Sequence, residues 1–323
     1  MKPPSPGRLL YLCFHAPIGR VREHFRDGGP AERARTELGR TAMEAAACQL
    51  PALPNPASDA PEVHFLTGRR FWFQTAFLLT SLAPHLHLRA VLHDDGSLDE
   101  PTRERLLNLA PGARVVGDAE ARERLDTLLP AARFPRLRAR REDLVLFRKI
   151  LDVHAGRPGW NLFLDSDQLA LRRPALLADW LKAPDAALHM TDVGDAYGCP
   201  ARALDRIAGT FVPRRVNTGI LGLRGDTVDW ERMEHHCAAL DGLMRPHYYH
   251  EQALVALHLA TQPARLATPP GDYVVLPRPP EARAPRAVWH HYVAGSKRWY
   301  YQARWQPFAA LSASPRPGRS HDR

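Results

Sequence analysis

The sequence predicts an α/β fold, a mixed and mainly parallel sheet flanked by helices. Three observations predict it. From Glu62 onward, short apolar runs alternate with helix-length amphipathic runs, the pattern of successive strand–helix units. The strand-like runs end in turn-forming or acidic residues, as parallel strands do where ligands sit beyond their carboxyl ends. The chain of 323 residues is 45% hydrophobic and 24% charged, which excludes wholesale disorder. Its 30 Pro and 21 Gly follow no triplet repeat, which excludes a collagen-like rod.

Taken in order, the chain opens on an apolar piece from Leu9 to Phe14, a charged stretch from Arg20 to Arg40 and an Ala-rich helical run from Thr41 to Leu50. The Pro-rich crossing from Pro51 to Pro61 breaks that run off. Residues 1–60 are therefore expected to be a helical extension with a linker, 61–305 the main domain, and 306–323 a disordered tail. Within the main domain, E-V-H-F-L-T-G reads as a strand closed by a turn, and F-W-F-Q-T-A-F-L-L-T-S-L as a helix. The next strand, L-R-A-V-L-H, ends in Asp94-Asp95-Gly96-Ser97. A polar helix follows from Asp99 to Leu109, then a short A-R-V-V strand and helices through an Arg-rich region to Val153. W-N-L-F-L-D-S-D is the third strong strand, with Asp165 and Asp167 at its carboxyl end. Further on lie a buried-looking V-N-T-G-I-L-G-L (Val216 to Leu223), a helix E-Q-A-L-V-A-L-H-L-A, and an aromatic cluster from Trp289 to Tyr301 that is expected to pack on the sheet.

The longest near-apolar run, Phe71 to Leu82, falls short of the roughly 20 residues a helix needs to span a bilayer. The apolar piece near the N-terminus is shorter than a secretory core of about 7–15 residues, so a cytoplasmic location is expected. Cys13, Cys48, Cys199 and Cys237 are scattered without a C-x-x-C pair; they read as buried thiols rather than as a zinc knuckle or a disulfide framework. Of 44 basic residues, only Lys2, Lys149, Lys182 and Lys297 are lysines, so the net charge of +9 rests on arginine. Such a surface favours anionic partners: nucleic acid, phosphorylated small molecules or acidic lipid headgroups.

The first chemically informative site is Asp165-Ser166-Asp167. Alternate residues at a strand end can aim two carboxylates at one point, and two hard oxygen donors suit Mn²⁺ or Mg²⁺ when phosphate oxygens complete the shell. A lone D-x-D is more often a loop end or a helix cap. Three further segments join it in order: Asn217-Thr218-Gly219 inside an apolar strand, Glu251-Gln252 at the start of an apolar helix, and His291 followed by Lys297 and Trp299.

This succession resembles the GT-A (Rossmann-like) glycosyltransferases, and specifically family 8, whose pattern runs D-x-D, N-x-G, D-Q and H-x-x-G-x-x-K-P-W. The resemblance covers about Glu62 to Tyr301. It implies that Asp165, Asp167 and His291 bind Mn²⁺ or Mg²⁺, with Asp165 also near the ribose, and that Lys297 contacts the diphosphate of a nucleotide-diphosphate sugar donor. It further implies that Arg148, or its neighbour Lys149, reaches the donor sugar, and that Asn217, Glu251 and Gln252 line the sugar and the reaction centre. Thr67 and Asp94 or Asp95 fall where such enzymes hold base and ribose. The implied reaction is metal-dependent glycosyl transfer with retention, to a glycan, lipid or small-molecule acceptor, with peripheral membrane contact compatible with the basic charge and no nucleic acid expected. If the enzyme inverts instead, Glu251 is the carboxylate available as general base. The chain departs from the pattern at Ala294, with Gly295 one place late, at Arg298 in place of proline, and at Glu251 in place of aspartate.

Blander readings stand beside these. His290 reads as structural. Asn217-Thr218-Gly219 is also what a bulged strand looks like, Glu251-Gln252 a first helical turn, and Asp94-Asp95-Gly96-Ser97 a turn in its own right. His235-His236 with Glu231 and Glu234 reads as a solvated helix face. Two other classes fit the sequence: a nucleotidyltransferase of related fold using the same acidic pair, and a basic nucleic-acid-binding protein without catalysis.

Overall fold

A computed structural model describes residues 28–313, with side chains to residue 310. The main sheet has seven strands in the order β3-β2-β1-β4-β7-β6-β8. These are β1 (Glu62–Thr67), β2 (Arg89–Asp94), β3 (Arg114–Val116), β4 (Trp160–Leu164), β6 (Ala187–Thr191), β7 (Val216–Arg224) and β8 (Arg265–Ala267). All run parallel except β7, which is antiparallel to both β4 and β6. The mixed, mainly parallel α/β sheet that the sequence predicts is thus the one observed. A second sheet, β5-β10-β9, joins β5 (Gln168–Ala170), β10 (Trp289–His291) and β9 (Tyr273–Val275).

Both faces of the main sheet are covered, which is why its central strands read as continuous apolar runs rather than alternating ones. Leu162, Leu164 and Ile220 face a core shared with α1 (Gly29–Ala47), α2 (Trp72–Leu82), α3 (Glu100–Leu109) and α7 (Ala175–Lys182). Phe163, Leu221 and Leu223 face the other core, filled from α4 (Asp118–Leu128), α5 (Pro135–Asp143), α6 (Arg148–His154), α8 (Ala201–Ala208), α9 (Trp230–Leu243) and α10 (His250–Leu259). Helix α2 is buried almost all round, Gln74, Thr75 and Ser81 included, so the run that reads as amphipathic turns no polar face to solvent.

Several expectations are corrected. The charged and Ala-rich stretches near the N-terminus are one helix over their described part, α1, and it packs on the rest of the molecule: Met43 and Ala47 share the core of Tyr301 and Trp305. Gly39 permits this, because a Cβ there would lie 2.4 Å from the Tyr301 carbonyl oxygen. The stretch from Leu9 to Phe14 lies outside the described residues. The tail expected to be disordered from residue 306 instead begins with a helix, which follows α11 (Pro279–Arg283) and α12 (Lys297–Trp299) through a π turn (Tyr300–Arg304) and runs as α13 (Gln306–Ala313). Phe308 is buried there; residues 314–323 lie outside the described residues.

The cysteines are not uniformly buried: Cys48 is exposed, Cys199 half-buried and Cys237 buried, while Cys13 lies outside the described residues. Nor is the His235-His236 helix face wholly solvated. His236 is buried, and Glu234 accepts from the backbone N–H of Arg136 and Leu137 at 2.7 and 2.9 Å, satisfying orphan donors at the start of α5. The late aromatic cluster does pack on the sheet, with Trp289, Tyr292 and Tyr300 fully buried. No helix among the described residues is long and apolar enough to cross a membrane.

Candidate metal centre

The carboxyl end of β4 and the strand β10, far apart in sequence, are brought together by backbone pairing. The Asp165 N–H donates to the Gly219 carbonyl of β7 at 2.8 Å, and the Tyr292 N–H donates to the Asp167 carbonyl at 2.9 Å. His291 pairs in register with Gln168, one residue beyond Asp167. The result places His291 Nε2 3.1 Å from Asp167 Oδ1 and 3.7 Å from Asp165 Oδ2. One donor atom from each of the three residues lies within 4.8 Å of the other two.

The imidazole is oriented by a chain of hydrogen bonds. Asn217 Nδ2 donates to Asp192 Oδ2 at 2.9 Å, which fixes the amide so that Oδ1 accepts. That oxygen takes the Gly219 N–H at 2.9 Å and faces His291 Nδ1 at 3.1 Å. Assigned from this network, the neutral ring carries its proton on Nδ1 and turns the Nε2 lone pair towards the two carboxylates. A lone pair and a carboxylate oxygen at 3.1 Å repel unless a cation or a proton lies between them. The donor set of two carboxylates and one oriented imidazole therefore fits a divalent ion, and the orienting amide is the outer-shell partner that metal-bound histidines require. Gly219 is needed for the ring to lie against β7: a Cβ there would meet His291 Cε1 at 2.4 Å and Gln168 Nε2 at 2.5 Å.

Two of the four lysines converge on the acidic pair. Lys149 Nζ, on α6, lies 2.7 Å from Asp165 Oδ1, and Lys297 Nζ, on α12, lies 3.1 Å from Asp167 Oδ2. Burial works against ionisation of Asp167, but Lys297, joined by His291 whenever a proton sits on its Nε2 in place of a metal ion, outweighs it and holds the carboxyl well below its usual range. Lys297 is raised in turn, chiefly by Asp167. Burial opposes the charge of Lys149, yet Asp165 and then Glu251 keep it raised. Both ammonium groups are therefore cations at neutral pH.

Beside this centre opens a cavity of about 500 Å³ lined by Asp192, Asn217, Tyr248, Gln252, Val293 and Lys297, among others. Asn217 and Gln252 thus reach the cavity, Gln252 held by Asp192 Oδ2 at 3.3 Å and by the Ala196 carbonyl at 2.9 Å. Ala294 stands where the resemblance expects glycine, and its φ of 45° is left-handed. The tight turn a glycine would serve is present despite the Cβ, at a cost of about 1–2 kcal/mol. Leu276, also on the cavity wall, has φ 54°, so two strained residues line it.

Glu251 does not line this cavity. Successive residues of β7 face opposite ways, and Thr218, between Asn217 and Gly219, donates to Glu251 Oε2 at 2.9 Å while Oε1 is buried without a partner. Burial raises the Glu251 carboxyl to about 7, against the pull of Lys149. The folded state therefore holds a proton that the unfolded chain releases near its ordinary value of 4.5. Stability from this group is present below pH 4.5 and is lost as pH rises through about 7. Glu251→Gln, which mimics the protonated acid, is expected to match the wild type near pH 4.5. Above pH 7.5 it should exceed it by on the order of 2 kcal/mol, read by urea unfolding in chelator across that range. Equal pH dependence in both proteins contradicts the assignment.

The remaining sequence-predicted residues gather at the ends of β1 and β2. Thr67 is buried, with its hydroxyl 3.0 Å from that of Thr75, and its carbonyl accepts the Asp95 N–H at 2.8 Å. Asp94 Oδ1 accepts from Gly96 and Leu98, and Asp95 Oδ1 from Ser97, so both carboxylates close the turn that their sequence spells. Arg148 Nη1 donates to the Asp94 carbonyl at 3.0 Å and to Asp118 at 2.7 Å; its guanidinium braces the turn. Asp192, Gln168 and Tyr248 were not singled out from the sequence. Asp192 had a signal, an acidic residue just past the strand A-L-H-M-T, as at the other strand ends. Gln168, which donates to the Gly219 carbonyl at 2.6 Å and accepts from Trp289 Nε1 at 2.6 Å, had none.

No protein-family model and no curated protein matches the chain. Among solved structures it is similar to the galactosyltransferase LgtC in complex with donor and acceptor sugar analogs, at 13% identity and a TM-score of 0.49, covering 79% of this chain and 97% of that one. It is also similar to the bifunctional glycosyltransferase WbbM (13% identity, TM-score 0.48, 81% of this chain and 53% of that one). A third is mouse xyloside xylosyltransferase 1 (12% identity, TM-score 0.47, 72% and 97%).

Proposed function

We propose that this protein is a glycosyltransferase that moves a sugar from a nucleotide-diphosphate donor, with Mn²⁺ or Mg²⁺ held by Asp165, Asp167 and His291. The observation that carries this reading is the orientation of His291: an Asn217-locked imidazole turns its bare nitrogen onto two strand-end carboxylates. When bound, the ion neutralises the diphosphate as it leaves. Lys297 binds a phosphate oxygen of the same group, moving its charge from Asp167 to the nucleotide as the donor arrives. Asn217, Gln252 and Asp192 present hydrogen-bonding atoms at the cavity wall where the sugar sits, and Tyr248 offers a ring for acceptor contact. Glu251, turned away beneath Thr218, is badly placed to take an acceptor proton, which favours a retaining course in which no dedicated base is needed.

Melting temperature measured with UDP-, GDP-, dTDP- and ADP-linked sugars, each with Mn²⁺ or with chelator, tests the reading. At least one pair should stabilise the chain only when metal is present, by about 3 kcal/mol at a hundredfold excess over Kd, and release nucleoside diphosphate on turnover with acceptor. Nucleoside triphosphate consumed with release of pyrophosphate would point to nucleotidyl transfer instead.

A further inference from the structure

We propose that Cys237, Asp241 and His250 form a second metal site, for a borderline-soft divalent ion of the Zn²⁺ class, which pins α9 to the first turn of α10. Cys237 and Asp241 are four apart on α9 and so share a helical face, and His250 is the first residue of α10. A sulfur, a carboxylate oxygen and a ring nitrogen from the three lie within 4.8 Å of one another. His250 Nε2 is 3.5 Å from Asp241 Oδ1.

An independent observation points to a ligand here. His250 is fully buried, packed against the Phe147 ring at 5.8 Å, and neither ring nitrogen has a hydrogen-bond partner. A buried ring nitrogen left unmet is destabilising. A bound cation meets a ring nitrogen and a carboxylate oxygen at once and takes Cys237, also fully buried, as thiolate. Thiolate plus carboxylate neutralises a doubly charged ion, and a thiolate–imidazole–carboxylate set selects Zn²⁺ over the hard ions suited to the Asp165–Asp167 centre.

Two guanidinium groups face the same carboxylate. Arg140 Nε is 3.2 Å from Asp241 Oδ1 and Arg136 Nη1 is 3.8 Å from Oδ2. They compete with the ion for Asp241, though Arg140 keeps a second partner in Asp143 at 2.6 Å. Because Gln252 follows His250 by two residues, an ion here would also steady the helix turn that carries a wall of the main cavity.

The test is a Co²⁺ titration of the chelator-stripped full chain, read by near-ultraviolet thiolate-to-cobalt charge transfer and the visible bands of tetrahedral cobalt. The expected result is one saturable charge-transfer site that Zn²⁺ displaces. The band should persist in Asp167→Asn and in a Cys48→Ser/Cys199→Ser double variant, and be lost in Cys237→Ser. Asp241→Asn should weaken binding roughly tenfold or more, and Arg140→Gln should tighten it. Absence of a charge-transfer band in the wild type overturns the proposal. So does a band that survives in Cys237→Ser. Should that variant not fold, His250→Gln is read in its place, and unchanged cobalt affinity there is equally fatal. The Asp165–Asp167–His291 centre has no thiolate, so failure here leaves the proposed transfer activity untouched, and failure there leaves this band untouched.

Discussion

Asp167→Asn is expected to abolish the metal-dependent rise in melting temperature and to lower glycosyl transfer by roughly 10²–10³-fold or more. The substitution keeps the side-chain volume and removes one charge from the pair. Asp167 faces both His291 Nε2 and Lys297 Nζ at 3.1 Å, so its loss leaves the imidazole lone pair with one carboxylate instead of two. Lys297 is released at the same time, and the half-exposed ammonium can turn to water without unfolding the chain. Circular dichroism should accordingly be unchanged. Calorimetric titration with Mn²⁺, with and without the nucleotide diphosphate, separates the outcomes: retained metal binding at wild-type affinity contradicts the role given to this carboxylate.

Lys297→Ala is expected to behave differently. Transfer should fall by roughly 10²–10³-fold in kcat, while metal affinity in the absence of nucleotide stays the same or rises. The physical reason is competition, since the Lys297 ammonium holds Asp167 in the free protein and an incoming cation must displace it. Once the nucleotide is bound, the same ammonium is free to stabilise charge that grows as the diphosphate leaves, an interaction stronger in the transition state than before it. Lys297→Arg should restore part of kcat, because the charge returns on a longer, planar head. A rise in KM with kcat unchanged would reduce Lys297 to a binding residue.

How far the site was legible from the chain depends on the range of the interaction concerned. Asp165 and Asp167 could be read together because a strand end and its turn are local, and the apolar run before them marks the strand. The alternation of Glu62 to Leu164 likewise carried the parallel half of the sheet. His291 could be joined to that pair only through the order of motifs, since nothing nearby in sequence distinguishes it from His290. The structure separates the two by strand pleat: His291 faces Asn217 and Asp167, whereas His290 faces Tyr292 and Glu281 at 2.9 and 3.1 Å. Glu251 shows the same limit. Beside Gln252 it looked like a partner in one site, yet a helix turns about 100° per residue, and the two side chains end on different neighbours.

The amino-acid sequence by itself determined the α/β class, the positions of the strand ends, the acidic pair and the scarcity of lysine that makes Lys149 and Lys297 conspicuous. These follow from periodicity and composition, which act over a few residues at a time. Tertiary structure alone decided that Asn217 locks the His291 ring and that Asp192 locks Asn217. It also decided that Arg148 braces a turn, and that Cys237, Asp241 and His250 share one buried spot between two helices. Those arrangements depend on strand pairing and helix packing between segments far apart in the chain, which local periodicity does not encode.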